Sequence, residues 1–219
     1  MAYSNKVADI LANLDRYHLQ YYAKMTFNGP SLYFHKQALA AAAMHSVPVN
    51  QLEYIYAALT AWGMHRMGKG GSKMVGFDEF EKSVNLVTQE VIAARAINLH
   101  SISGADWSLL EKIFMTIKIM RSGTTLVGNS KVMAHLMPNV VSPIDREYTL
   151  RYLHGNGYIR NDIAREWGMM KSIMGEFFIP IASDLVFQTK AGHWTASLNA
   201  FPWDTSHLKV IDNLVIGAL

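Results

Sequence analysis

Apolar residues recur at intervals of three and four along most of the chain, which is the spacing of a buried helical face. In the first such segment, Val7, Ile10, Leu11 and Leu14 follow this spacing. No stretch alternates apolar and polar residues as a half-buried strand does, and no internal repeat is present. The sequence therefore predicts an all-α protein of about eight to ten helices. The predicted helices span 4–25, 31–46, 51–65, 77–99, 107–120, 145–153 and 162–178.

Segments rich in Gly, Asn and Pro separate these helices and predict loops. Residues 189–206 contain Gly, Asn and two Trp, and are predicted to form a long loop near the C-terminus. Residues 208–219 have Val and Ile runs that fit either a helix or a strand. The chain of 219 residues is half hydrophobic and 17% charged, which excludes a disordered protein and predicts one compact unit over 1–219.

Several function classes are excluded by composition. The chain has no cysteine, so it has no disulfide, iron–sulfur cluster or cysteine-ligated zinc. Its nine histidines show no HxxxH or HExxH spacing, and we expect no metal and no cofactor. No long uninterrupted apolar stretch and no leader segment is recognisable, so we expect no membrane association and a cytoplasmic protein.

Positive charge is concentrated in the middle of the chain. Residues 112–171 carry a net charge of +5 and the remainder carries −2, a distribution that favours a polyanionic partner over the middle segment. Residues 63–69 match the letters of a GxxxxGK phosphate loop. However, Gly70 stands where Ser or Thr is required and no strand precedes it, so an NTPase is excluded. Arg66, Lys69 and Lys73 remain as a basic loop suited to contact a phosphate backbone.

The stretch from Leu126 to Tyr148 carries the most specific pattern. Residues 126–130 (LVGNS) are predicted to turn between two helices, so that Gly128, Asn129 and Ser130 leave backbone N–H groups free to bind a phosphate at the next helix start. Lys131 is then expected in the first turn of that helix, where the helix dipole disfavours its charged form and favours a nucleophilic amine. Asp145, after Ser-Pro-Ile, is expected to cap a further helix.

This pattern resembles the hairpin segment of the helix–hairpin–helix DNA glycosylase superfamily, and the resemblance covers residues 126–148. It implies two closely packed helical lobes, with the hairpin lobe over 107–178. It also implies duplex DNA as the partner and base excision as the activity, with an accompanying lyase step. Under this resemblance Lys131 is the Schiff-base nucleophile and Asp145 supports charge on the sugar. The phosphate contacts come from Gly128, Asn129 and Ser130, with Arg66, Lys69, Lys73 and Arg146 as further basic contacts.

A base flipped out of the duplex needs an aromatic surface on which to stack. The five tryptophans (Trp62, Trp107, Trp167, Trp194 and Trp203) are candidates, and Trp194 and Trp203 are favoured because they fall in the predicted loop. Two alternatives stay open. In an ungapped alignment Val132 occupies the position of the family lysine, and this offset favours a nucleic-acid-binding protein without catalysis. The third hypothesis is a helical interaction or small-ligand module.

Overall fold

The protein is helical throughout, in agreement with the predicted all-α class. The structure is a computed structural model that describes residues 2–25, 29–43, 45–65, 67–68, 71–121 and 123–219. Those residues form twelve helices when consecutive helical turns are joined. They are α1 Ser4–Ala12, α2 Leu14–Lys24, α3 Pro30–Ala40, α4 Val49–Ala61, α5 Phe77–Asn85, α6 Thr88–Ala94, α7 Gly104–Thr116, α8 Leu126–Leu136, α9 Arg146–Leu150 with Arg151–His154, α10 Ile163–Ile173 with Met174–Phe178 and Ile179–Ala182, α11 Leu185–Ala196 and α12 His207–Ala218.

The helix count exceeds the prediction because two long periodic segments are each interrupted. The first segment breaks at Asn13, whose side-chain amide donates to the backbone oxygen of Asp9 at 2.8 Å. Asn competes for backbone groups in this way, and so it favours helix ends over helix interiors. The segment predicted over 77–99 breaks between Asn85 and Thr88. Hydrophobic periodicity continues across both breaks, and therefore does not show them.

Two predicted loops are in fact helical. Residues 126–130 lie inside α8 and are not a turn. Much of the predicted loop 189–206 belongs to α11, which Asp184 caps by accepting from the N–H of Phe187 at 2.9 Å. A single glycine such as Gly192 costs a helix only about 1 kcal/mol relative to alanine, so the cap and packing override it.

The ambiguous C-terminal segment is the helix α12, and it is almost entirely buried. A helix that is buried on nearly all sides is mostly apolar, which explains why its Val-Ile runs also fit a strand. Gly217 permits a close approach between α12 and α2, because a Cβ atom there would collide with the backbone oxygen of Tyr17. This packing brings Tyr21 of α2 and Lys209 of α12 to one side of the molecule.

One connected hydrophobic core draws residues from every helix. The structure describes two very short antiparallel strands, β1 Met67–Gly68 and β2 Gly71–Ser72, within the predicted basic loop. Within the described part of the chain, no helix has the length and apolar character needed to cross a membrane.

Candidate functional site

A pocket of about 300 Å³ opens where α2, α8, α9 and α12 meet. Four aromatic side chains and two lysine–carboxylate pairs face it, which is an unusual amount of charge for a site so close to the core. We refer to it below as the aromatic pocket. It is lined by Tyr21, Trp62, Lys131, Pro143, Asp145, Glu147, Tyr148, Trp203, Lys209, Asp212 and Ile216.

The first ion pair in this pocket joins Lys131 and Asp145, the two residues predicted to be catalytic. Their Nζ and Oδ2 atoms are 2.7 Å apart, and the side chains are 11% and 25% exposed. Asp145 caps α9, as predicted, by accepting from the N–H of Glu147 at 2.8 Å. Lys131 lies in the middle of α8, and not in its first turn. The predicted dipole effect on Lys131 was therefore wrong, because that effect is confined to the helix end.

The environment of Asp145 keeps its carboxyl group ionised. Burial acts to raise the pKa of Asp145, but the charge of Lys131 and the hydrogen bonds from Lys131 and the Glu147 amide outweigh it and lower the pKa below its ordinary value. The Asp145 carboxylate therefore persists at neutral pH.

Neighbouring residues hold the Lys131–Asp145 pair together across 14 positions of sequence. The Oγ of Ser130 accepts from the N–H of Ile144 at 3.0 Å, which ties α8 to the residue before Asp145. The backbone N–H of Asp145 donates to Thr149 Oγ1 at 3.2 Å. α9 itself begins with a π-type turn, in which the N–H of Leu150 donates to the oxygen of Asp145 at 2.9 Å. Such turns occur frequently at functional sites.

A second ion pair, on α12, also faces the aromatic pocket. Lys209 Nζ lies 2.6 Å from Asp212 Oδ2 and 2.6 Å from Asn213 Oδ1. The two ammonium groups each lie over an aromatic ring: Lys131 Nζ is 5.4 Å from the Trp62 centroid, and Lys209 Nζ is 5.5 Å from the Trp203 centroid. Cations over aromatic faces are favourable contacts.

A buried polar chain supports the second pair. Asn213 Nδ2 donates to Asp204 Oδ1 at 2.8 Å, and the other carboxylate oxygen of Asp204 lies 2.7 Å from His18 Nε2. The Asp204 side chain is fully buried. Lys209 is therefore held from behind by a connected hydrogen-bond network.

Two histidines lie directly behind Lys131. The carbonyl of Lys131 is 2.7 Å from His135 Nδ1, so this nitrogen donates. With both imidazoles neutral, His135 Nε2 accepts from His35 Nδ1 at 3.0 Å, and His35 Nε2 accepts from Thr205 Oγ1 at 2.9 Å. Burial lowers the pKa of His135 to about 4, and burial together with His135 lowers the pKa of His35 well below its ordinary value.

The three residues predicted to bind a phosphate are buried packing residues. A Cβ at Gly128 would lie 2.6 Å from Ile119 Cγ2, so this glycine permits close packing and does not form a turn. Asn129 donates to the backbone oxygens of Phe114 and Ile117, and Ser130 contacts Ile144. The phosphate prediction for these residues loses its basis, because their backbone lies inside a buried helix.

The N-terminus of α8 already has an anionic partner from within the chain. Glu166, which is buried, accepts from the backbone N–H groups of Thr125 and Leu126, both at 2.6 Å. A carboxylate at this position satisfies the helix end as a bound phosphate would.

The other predicted site residues fall into three groups. Trp203 lines the aromatic pocket, whereas Trp194 lies on α11 and stacks on His18 with centroids 3.9 Å apart. Lys73 and Arg146 are exposed, and Arg146 contacts Thr124 and the backbone oxygen of Gly157. Arg66 and Lys69 lie outside the described residues.

Sequence reasoning missed the second ion pair and most of the aromatic wall. A signal for the pair was present, since Lys209 and Asp212 are spaced i,i+3 in a mostly apolar segment, and charged residues are rarely buried unless they are paired. Trp62 was one of five tryptophans, and only the packing of α4 against α8 selects it. Across the described residues, no group of three or more potential ligands is placed to hold a metal ion.

Comparison of the chain with protein-family models, with curated proteins and with solved structures gives no match. The functional argument therefore depends on the aromatic pocket.

Proposed function

We propose that this protein is a base-excision enzyme that accepts a nucleotide base in the aromatic pocket and uses Lys131 as an amine nucleophile on the sugar. One observation carries the proposal: Lys131 and Asp145 form an ion pair 2.7 Å long at the edge of a concave site walled by tryptophan and tyrosine. Aromatic walls suit a flat heterocycle removed from its stack.

The residues are suited to the two parts of that reaction. When the bond between C1′ and the base nitrogen breaks, the base leaves with the bonding electron pair and takes a proton from the Lys131 ammonium. The Asp145 carboxylate then stabilises the positive charge that develops on the sugar. The neutral Lys131 amine donates its lone pair to C1′. Opening of the C1′–O4′ bond, with one nitrogen proton passing to O4′, gives the Schiff base.

The all-α architecture is compatible with a helix–hairpin–helix glycosylase of two lobes, and we include that finer fold in the proposal. Its support is the placement of Lys131 on a helix and of Asp145 at the start of the next one, as the resemblance implies. The helix start at α8 is occupied by Glu166. Contacts with duplex DNA therefore have to come from exposed basic residues such as Lys73 and Arg146.

Borohydride trapping tests this proposal directly. The purified protein is incubated with duplex oligonucleotides carrying an abasic site, uracil or 8-oxoguanine, and borohydride reduces any Schiff base to a stable adduct. We expect an adduct with the wild type and none with Lys131→Gln. Lys190→Gln is the matched control, because Lys190 forms an ion pair of the same length with Asp15 at the surface. Absence of an adduct with the wild type would refute the lyase step.

A second candidate is supported by the burial of the segment thought to be a hairpin. Gly128, Asn129 and Ser130 are buried and offer nothing to a phosphate. A small aromatic ligand in the pocket of about 300 Å³, walled by Trp and Tyr, would need no such contact. This module would bind free nucleosides but would neither form an adduct nor retain duplex DNA at moderate salt. Salt-dependent DNA binding without an adduct would instead indicate a non-catalytic nucleic-acid-binding protein.

A further inference from the structure

The second ion pair keeps hydrogen-bonding capacity that the described residues do not use. An ammonium group has three N–H donors, and Lys209 directs two of them to Asp212 Oδ2 and Asn213 Oδ1. Asp212 Oδ1 receives no hydrogen bond from the described part of the chain, although Oδ2 is paired. Both side chains line the aromatic pocket. One donor and one acceptor thus lie side by side at its wall.

The cost of burying this pair indicates a role beyond packing. Its side chains are only 10% and 8% exposed, and a buried ion pair is often no more stabilising than apolar residues of the same volume. Trp203 and Tyr21 lie 5.5 and 5.9 Å from Lys209 Nζ, so a ring entering the pocket meets aromatic surface beside the charged pair. The Asn213–Asp204–His18 chain fixes the ammonium in place before any ligand arrives. Such pre-organisation is typical of a recognition site.

We propose that Lys209 and Asp212 recognise the lactam edge of an oxo-purine or oxo-pyrimidine base. Lys209 donates to the ring carbonyl oxygen, and Asp212 Oδ1 accepts from the adjacent ring N–H. The lactam edge is favoured over an edge with a ring nitrogen and an amino group, since a lactam N–H is the more acidic donor and pairs better with a carboxylate. This inference rests on the proposed function for the identity of the ligand, and it assigns base selection to α12 and sugar chemistry to Lys131.

The two roles separate on an abasic substrate, which has a sugar but no base. For Asp212→Asn and Lys209→Gln we expect single-turnover excision of uracil or 8-oxoguanine to fall by about tenfold or more, as expected when a charged hydrogen bond to the substrate is lost. Trapping on the abasic duplex should stay within about twofold of wild type, because no base edge is read there. Lys131→Gln should lose both activities, and Lys190→Gln neither. Parallel loss of excision and trapping in Asp212→Asn, or no loss of excision, would overturn the inference.

A second measurement needs no variant and no DNA chemistry. Binding of uridine and of guanosine to the wild-type protein is followed by quenching of tryptophan fluorescence, with N3-methyluridine and N1-methylguanosine as ligands that lack the lactam N–H. We expect the methylated nucleosides to bind about tenfold more weakly or worse. Equal binding, stronger binding of adenosine and cytidine, or no nucleoside binding would overturn the inference. If uridine binds selectively while the wild type gives no adduct, base recognition stands and the proposed enzyme activity fails.

Discussion

The two lysine–carboxylate pairs of the aromatic pocket have similar lengths but are built differently. Lys131 and Asp145 come from different helices, and a quarter of the Asp145 side chain is exposed. Lys209 and Asp212 lie one turn apart on a single helix, are more deeply buried, and are supported by Asn213 and Asp204. The first pair depends on how two segments are docked, whereas the second is fixed by helix geometry and a polar network.

This difference matches the two roles proposed for the pairs. An amine that reacts must be released from its carboxylate, and a partly exposed pair between two helices separates more easily than a buried pair on one helix. A group that selects a ligand is most effective when it does not move. The variants below change one pair and leave the other intact.

The largest effect is expected from the network behind Lys209. Asp204→Ala leaves His18 and Asn213 without their buried acceptor, and we expect it to lower the free energy of unfolding by about 3–5 kcal/mol. Asp145→Ala should cost less, about 1–2 kcal/mol, because a quarter of its side chain is exposed and Lys131 borders the open pocket, where water can replace the lost partner. Urea denaturation monitored by circular dichroism measures both. Equal costs would show that the two pairs are supported alike.

An intermediate effect is expected at the tie between α8 and α9. Ser130→Ala removes the acceptor of the buried Ile144 N–H and should destabilise the protein by about 1–3 kcal/mol. Because this tie positions Asp145 beside Lys131, adduct formation should slow while nucleoside binding at Lys209 is retained. Ser108→Ala is a suitable control, since Ser108 is exposed and its hydroxyl donates to the Gly104 oxygen within its own helix. Loss of nucleoside binding in Ser130→Ala would mean that the two pairs are not independent.

A graded effect, separate from these variants, is a pH dependence of stability carried by the histidines behind Lys131. Both His35 and His135 have pKa values below 6.5 in the folded protein, so the unfolded chain binds more protons below that pH. The contribution of the two neutral histidines to the free energy of unfolding is fully present above about pH 6.5. It should fall as the pH decreases toward about 4, the folded pKa of His135, by up to about 1.4 kcal/mol per pH unit for each histidine. Urea denaturation at several pH values tests this. In His135→Asn the free energy of unfolding should depend less steeply on pH. An unchanged slope would show that other groups carry the pH dependence.

The predictions made from local pattern succeeded where the feature itself is local. Asp145 caps a helix as predicted, because a side chain within a few residues of the helix start decides the cap. The resemblance over residues 126–148 selected Lys131 and Asp145 as candidates but did not predict their ion pair, and the turn assumed for Gly128 was wrong. A glycine favours a turn and a close packing contact alike, and only the position of Ile119 separates the two.

The sequence by itself determined the helical class, most helix positions and the absence of cysteine chemistry, and it selected Lys131 and Asp145 as candidate site residues. The helical class, the helix positions and the absence of cysteine chemistry follow from hydrophobic periodicity, capping and composition, whereas Lys131 and Asp145 were selected by the resemblance over residues 126–148. The tertiary structure decided that Gly128, Asn129 and Ser130 are buried, that Glu166 occupies the start of α8, and that Trp62 and Lys209 face one pocket. Residues about 80 and 150 positions apart meet there only because whole helices pack together, and no local pattern encodes which faces will meet.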